Sequence, residues 1–108
     1  MTTDGRKHRE GKIPIHVDSD LADLIPGFLE KRRKDAVAIL TALERADFET
    51  IRILGHSMKG SGGGYGFDGI TDIGTTLERA ANNKQSEEIS QLARDLSSYL
   101  DRVEVIDE

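Results

Sequence analysis

The sequence predicts an all-α domain: an antiparallel up-down four-helix bundle with a short N-terminal helix and an extended N-terminal arm. Three observations carry this expectation. Apolar residues recur at helical spacing in four successive segments. No strand-forming run of useful length interrupts them. Links of a few residues join the segments, which favours helices packed against their sequence neighbours. The 108 residues suffice for one modest core, not two.

Residues 1–17 form the expected arm, and residues 18–108 the bundle. The first twelve, MTTDGRKHREGK, are polar and without period. Ile13-Pro14-Ile15-His16-Val17 alternates like a short extended segment. A lone strand has nothing to pair with, so the expectation is a strap lying on the core. Asp18 or Ser19 suits an N-cap, and Asp20 places negative charge in the first turn. Leu21, Leu24, Ile25, Phe28, Leu29, Ala36, Ile39, Leu40 and Leu43 then follow a helical stripe. Pro26 lacks an amide hydrogen and clashes with a preceding turn. A short helix should therefore end or kink there, and a long one run from about Pro26 to Arg45.

Asp47 is a plausible cap for the next helix, whose stripe is Phe48, Ile51, Leu54 and Met58. Beyond a glycine cluster, Ile70, Ile73, Gly74, Leu77, Ala80 and Ala81 mark a third helix. It should end near Asn82-Asn83, residues that tolerate a left-handed cap. Ser86 is the expected cap of the last helix, striped by Ile89, Leu92, Ala93, Leu96, Tyr99, Leu100 and Val103. The tail from Ile106 should fray.

Composition narrows function. Twenty acidic against 15 basic residues give a net charge of −5, which argues against a nucleic-acid binder. Cysteine is absent, which excludes disulfides, thiol catalysis and thiolate metal sites and suits a reducing compartment. No apolar run approaches the ~20 residues of a membrane span, and no signal peptide opens the chain. The chain starts at Met1 and holds one domain, so the expectation is a free-standing, monomeric, cytoplasmic protein without a membrane partner.

The informative stretch is Gly55-His56-Ser57-Met58-Lys59-Gly60-Ser61-Gly62-Gly63-Gly64-Tyr65-Gly66-Phe67. Each glycine inside a helix costs ~1 kcal/mol relative to alanine. Either the helix breaks into a phosphate-cradling loop, or it continues and the cost serves close approach of something. The loop reading fails its motif. Gly55 and Gly60 have the outer P-loop spacing, but Ser61 stands where Lys is needed and no strand precedes. A dinucleotide fingerprint would need a βαβ unit that is missing.

The helix reading gives a geometry. With Ile51 as the core direction and ~100° per residue, Phe48, Leu54, Gly55, Met58, Gly62 and Tyr65 fall within ~60° of it. His56 falls ~140° away, towards solvent. Arg52 and Lys59 lie on its flank one turn to either side. Gly60 and Gly64 leave bare backbone on the other flank, with Ile53 facing outward beside them. A facing protein can come close, since Gly60 has no side chain to block it.

Phosphoryl acceptance fits this arrangement. A neutral imidazole nitrogen is a good nucleophile near neutral pH. Lys59 at i+3 can screen the charge added. Ser57 points elsewhere on the helix, so no Ser-His pair forms. His8 and His16 lie in the arm, and no H-x-x-x-H occurs, so a metal site is not expected. Taken singly, each residue also fits a solvated surface.

Here the sequence resembles a histidine phosphotransfer (HPt) domain, whose pattern is roughly H-x-[LM]-K-G-[SAT]-x-x-x-[aromatic or aliphatic]-G. His56, Met58, Lys59, Gly60, Ser61, Tyr65 and Gly66 match in order. Leu77-Glu78, Phe28-Leu29 and Asp47-Phe48 also fit, and the resemblance covers about residues 18 to 104. Gly62-Gly63-Gly64 and Gly74 depart from it, which implies a weakened helix end and looser local packing.

The resemblance implies a phosphorelay intermediate without autokinase activity. His56 Nε2 would attack an aspartyl phosphate on a response-regulator receiver domain, and a hybrid histidine kinase is a further candidate partner. The chain itself would need no cofactor, with Mg²⁺ belonging to the receiver. Lys59 would stabilise phosphoryl oxygens and Gly60 would admit the partner. Glu78 would orient His56 through Nδ1–H, or else form a surface ion pair with Lys59 or Arg52. Arg52, Ile53, Gly63 and Gly64 would belong to the docking surface. The alternative is a helical adaptor that docks a signalling partner without accepting phosphate.

Overall fold

A computed structural model describes residues 11–107. Four long helices dominate it: α1 (Ile25–Glu44), α2 (Phe48–Gly62), α3 (Asp68–Asn82) and α4 (Ser86–Arg102). Each packs on two others, α1 and α3 both contacting α2 and α4. The expected stripes meet in one core, where Ile39, Ile51, Met58, Phe67, Ile70, Leu77, Ile89 and Leu96 are fully buried. None of the described helices is long and apolar enough to cross a membrane.

The helix boundaries follow local chemistry. Asp18 accepts a hydrogen bond from the Asp20 amide and opens a 3₁₀ helix over Ser19–Leu24. Pro26 stands at the start of α1, where its missing amide hydrogen is harmless. Asp47 caps α2 by accepting from the Thr50 amide. Three helices end in the same way. The amide of Asp47 reaches back to Ala42, Phe67 to Gly62 and Gln85 to Ala80, each bond closing over one left-handed residue. Those residues are Ala46 (φ 54°), Gly66 (φ 86°) and Lys84 (φ 55°).

Several expectations need correction. The left-handed residue after α3 is Lys84, not an asparagine. Ser86 is the first residue of α4, and its cap position belongs to Gln85, which makes no side-chain cap bond. The larger correction concerns the ends of the chain. Ile13–Val17 forms strand β1, and Val103–Asp107 forms strand β2. They pair in parallel, Ile13 against Val103 and Val17 against Asp107. The extended segment therefore has a partner, and Ile106 and Asp107 lie in a strand rather than fraying. Parallel strands need a long crossover, and here the whole bundle supplies it. Burial of Ile15 and Val17 fixes which face of β1 meets the core. Of the expected arm, residues 1–10 lie outside the described residues.

The glycine-rich stretch follows the helix reading as far as Gly62. The helix continues to Gly62, tightens to a 3₁₀ turn over Gly63–Tyr65 and stops at Gly66. Gly74, expected to loosen packing, does the opposite. A Cβ at Gly74 would lie 2.6 Å from the Gly55 carbonyl oxygen and 2.6 Å from the Lys59 amide nitrogen. A Cβ at Gly55 would meet the Glu78 amide nitrogen at 2.8 Å and the Gly74 carbonyl oxygen at 2.9 Å. Backbone atoms cannot step aside singly, so α2 and α3 cross at a distance only glycine permits. Gly74→Ala is expected to lower unfolding stability by about 1–3 kcal/mol through overpacking. Gly64→Ala, with open space around its Cβ, should leave stability unchanged or raise it. Urea melts of the two variants check this pair.

Candidate functional site

The site is built where α2 crosses α3. Gly55 faces inward, so the next residue, His56, faces out. Its side chain is 67 % exposed. Lys59, one turn on, is also exposed, and Glu78 from α3 is mostly covered. Glu78 serves both neighbours. Its Oε2 lies 3.3 Å from His56 Nδ1, and its Oε1 lies 3.0 Å from Lys59 Nζ. The orienting contact and the ion pair with Lys59 thus coexist on one carboxylate. Arg52 does not share it, being bound to Glu49 through Nε at 3.1 Å and Nη2 at 2.6 Å.

The chemistry of the trio follows from donor and acceptor rules. Contact with Lys59, and secondarily with His56, holds the Glu78 carboxyl below its ordinary range. An ionised carboxylate only accepts hydrogen bonds. Nδ1 of His56 must therefore carry the hydrogen, and in the neutral ring Nε2 is left with its lone pair. That nitrogen is the one free for a nucleophilic role.

The surroundings of His56 are open. Gly60 and Gly64 have nothing near the place of a Cβ, and Gly63 has only Thr71 Oγ1 at ordinary contact distance. Ile53 is 53 % exposed. An open depression of about 540 Å³ lies between the ends of α2 and α3, lined by Phe48, Arg52, Asn82 and Lys84 among others. His56 does not line it. A ring this exposed and outside the depression suits a macromolecular partner better than a small substrate, which is ordinarily held in a concavity.

Every residue singled out from the sequence therefore lies on or beside one face: His56, Lys59, Gly60, Gly63, Gly64, Ile53 and Arg52 along α2 and its 3₁₀ extension, and Glu78 across from them. Sequence reasoning missed two features beneath this face. One is the glycine crossing, signalled by Gly55 and Gly62 seven residues apart on the core side of α2. The other is a buried charge pair on α1. Arg32 is 2 % exposed and its Nη2 lies 3.1 Å from Asp35 Oδ2. A helical stripe reading passes over such residues because charge is ordinarily taken as solvated.

The fold thus brings His56, Lys59 and Glu78 together on one exposed face of the helical bundle. Residues 23–105 match the family model of the Hpt domain. The chain belongs to the Hpt domain family, whose members serve phosphotransfer in two-component signalling and interact with response-regulator receivers. No curated protein and no solved structure gives a significant match.

The lowered Glu78 carboxyl fixes a pH dependence. A carboxyl depressed by folding contributes stability that is fully present above its ordinary value of 4.5 and is lost as pH falls through the depressed one. Wild type is thus expected to exceed Glu78→Gln in urea midpoint at neutral pH, with the gap closing well below pH 4.5. Nitrogen-15 spectra of the imidazole should show the Nδ1–H tautomer in wild type and a mixture in Glu78→Ala.

Proposed function

We propose that the chain is a phosphorelay intermediate in which His56 receives a phosphoryl group from a receiver-domain aspartate and hands it to another. The observation that carries the reading is the exposed imidazole whose Nδ1 is engaged by Glu78, leaving Nε2 open. In the forward step Nε2 attacks phosphorus in line with the acyl oxygen. The P–O bond to the aspartate breaks as the P–N bond forms, and the leaving group is the aspartate carboxylate. Nδ1 keeps its hydrogen throughout, donated to Glu78, which offsets positive charge developing on the ring. The reverse sequence delivers the group to a second receiver.

Lys59 is placed to change partners. In the free protein its ammonium is bound to Glu78, and a phosphoryl group on His56, one turn away, offers it a second anion. Arg52, Ile53, Gly60, Gly63 and Gly64 form the docking face, apolar and bare near the middle and charged at the rim, as suits a small transient interface. This division leaves Mg²⁺ and most transition-state electrostatics to the receiver, and positioning to this chain. A soluble cytoplasmic monomer would suit that role.

Wild type incubated with a phosphorylated receiver is expected to gain an acid-labile, base-stable label that His56→Gln does not. Receiver binding without label on wild type would support the adaptor instead. Lys59→Ala should retain transfer but slow it about ten-fold, or ~1.4 kcal/mol of barrier. Gly60→Gln is expected to keep the melting temperature, having room for a side chain. It should nevertheless cut transfer at least about ten-fold by holding the partner off. Unchanged transfer in Gly60→Gln would remove the close-approach argument.

A further inference from the structure

The docking face ends in a segment that should not hold its shape unaided. From Gly60 to Gly66, five of seven residues are glycine. Each costs helical order about 1 kcal/mol relative to alanine. The two that carry side chains are Ser61 and Tyr65, and Phe67 follows. All three are gripped by α1. Arg32 Nη1 donates to Ser61 Oγ at 3.4 Å, and Ser61 in turn donates to the Ser57 carbonyl at 3.0 Å. The Phe28 ring packs on Tyr65 at 4.7 Å and on Phe67 at 5.4 Å between centroids. The Arg32 guanidinium itself stacks over Phe28 at 5.4 Å.

Arg32 stands at the centre of this grip at an energetic disadvantage. It is buried beside Asp35, and Lys31 lies 4.0 Å from the same carboxylate. The Arg32 Nε has no hydrogen-bond partner, and Asp35 Oδ2 meets the guanidinium closely but outside hydrogen-bond geometry. Burial pushes the Asp35 carboxyl up in spite of the guanidinium. A buried ion pair of this quality is commonly matched or exceeded in stability by apolar side chains of similar volume. A role in specifying local structure accounts for it better than a role in overall stability.

We propose that Arg32 is a positioning residue for partner docking, ordering the glycine-rich turn from Gly60 to Gly66 through Ser61 and Phe28 without touching the reacting atoms. It rests on the transfer reading above for its effect on rate, but not for its effect on order. Arg32→Met keeps volume and removes charge and donors. In the 108-residue chain it is expected to speed amide hydrogen exchange at residues 61–66 about ten-fold or more, with exchange in α3 and α4 unchanged. Labelling of His56 by phosphoramidate, a small donor that needs no docking, should stay within about two-fold of wild type, while transfer from a phosphorylated receiver falls about ten-fold through KM rather than kcat. Arg32→Lys, which keeps the charge, should restore part of the KM. Ser61→Ala cuts the same link from the α2 side and answers the question if Arg32→Met does not fold. Unchanged exchange at residues 61–66, or exchange accelerated throughout the bundle, overturns the proposal. So does a receiver-transfer loss matched by an equal loss of phosphoramidate labelling. If wild-type His56 takes no label from any receiver, the transfer reading fails, and the exchange pattern still decides whether Arg32 orders the turn.

Discussion

The contact between the backbones of Gly55 and Gly74 sets the geometry of everything on the functional face. Helices with side chains at their crossing stand 8–10 Å apart, and here two absent Cβ atoms let the backbones touch. The atoms that a side chain would strike are informative. At Gly55 they include the amide of Glu78, and at Gly74 the amide of Lys59. The crossing thus fixes the start of the Glu78 side chain directly beside the residue preceding His56. A carboxylate that must reach both an imidazole and an ammonium has little slack, with 3.3 Å to one and 3.0 Å to the other. Moving α3 outward by the width of a methyl group would break both contacts together. The Nδ1–H tautomer of His56 is in this sense set by two buried glycines that contribute no side chain to the site.

The same logic sorts Gly74 and the glycines that the sequence presents as one cluster. Gly55, Gly62 and Gly74 have backbone or side-chain atoms under 3 Å from the place of a Cβ. Gly66 has a left-handed backbone that ends the helix. Packing or conformation requires these four. Gly60 and Gly64 have free space and Gly63 ordinary contacts. Gly63 also has helical dihedrals, φ −65° and ψ −32°. Nothing among the described residues demands glycine at these three positions. All three are exposed and follow His56 on α2 and its 3₁₀ extension, so under the proposed function the demand lies outside the chain, in whatever approaches that ring.

Much of this was legible beforehand. The 3.6-residue stripes located all four helices because every one buries a single apolar face, and Asp18 and Asp47 capped as their side chains allow. The exposure of His56 followed from its angle to Ile51. What escaped notice has a common cause. The β1–β2 pair joins residues some ninety positions apart in sequence, and periodicity reports local order, not which distant segment completes a sheet. Gly74 reads as a packing defect until the backbone facing it is known. Lys84 and Ala46 carry left-handed turns because the helix-ending hydrogen bonds over them outweigh a strain of about 1–2 kcal/mol, a balance that residue preferences alone do not settle.

The buried Arg32–Asp35 pair and the exposed glycine strip are two sides of one problem. A docking surface for transient partners must be low enough to admit a facing backbone, and glycine is the only residue that lowers it that far. Glycine also forfeits the side-chain packing that would hold the surface in place. Order must then come from the few non-glycine residues of the segment, and these point inward at α1. Apolar contacts from Phe28 hold Tyr65 and Phe67, but they are non-directional and tolerate sliding. The hydrogen bond to Ser61 from the Arg32 guanidinium, which stacks on Phe28 and lies against Asp35, adds a direction that those contacts lack. The bundle thus places a directional, electrostatically expensive contact under the part of its surface where the chain has least shape of its own.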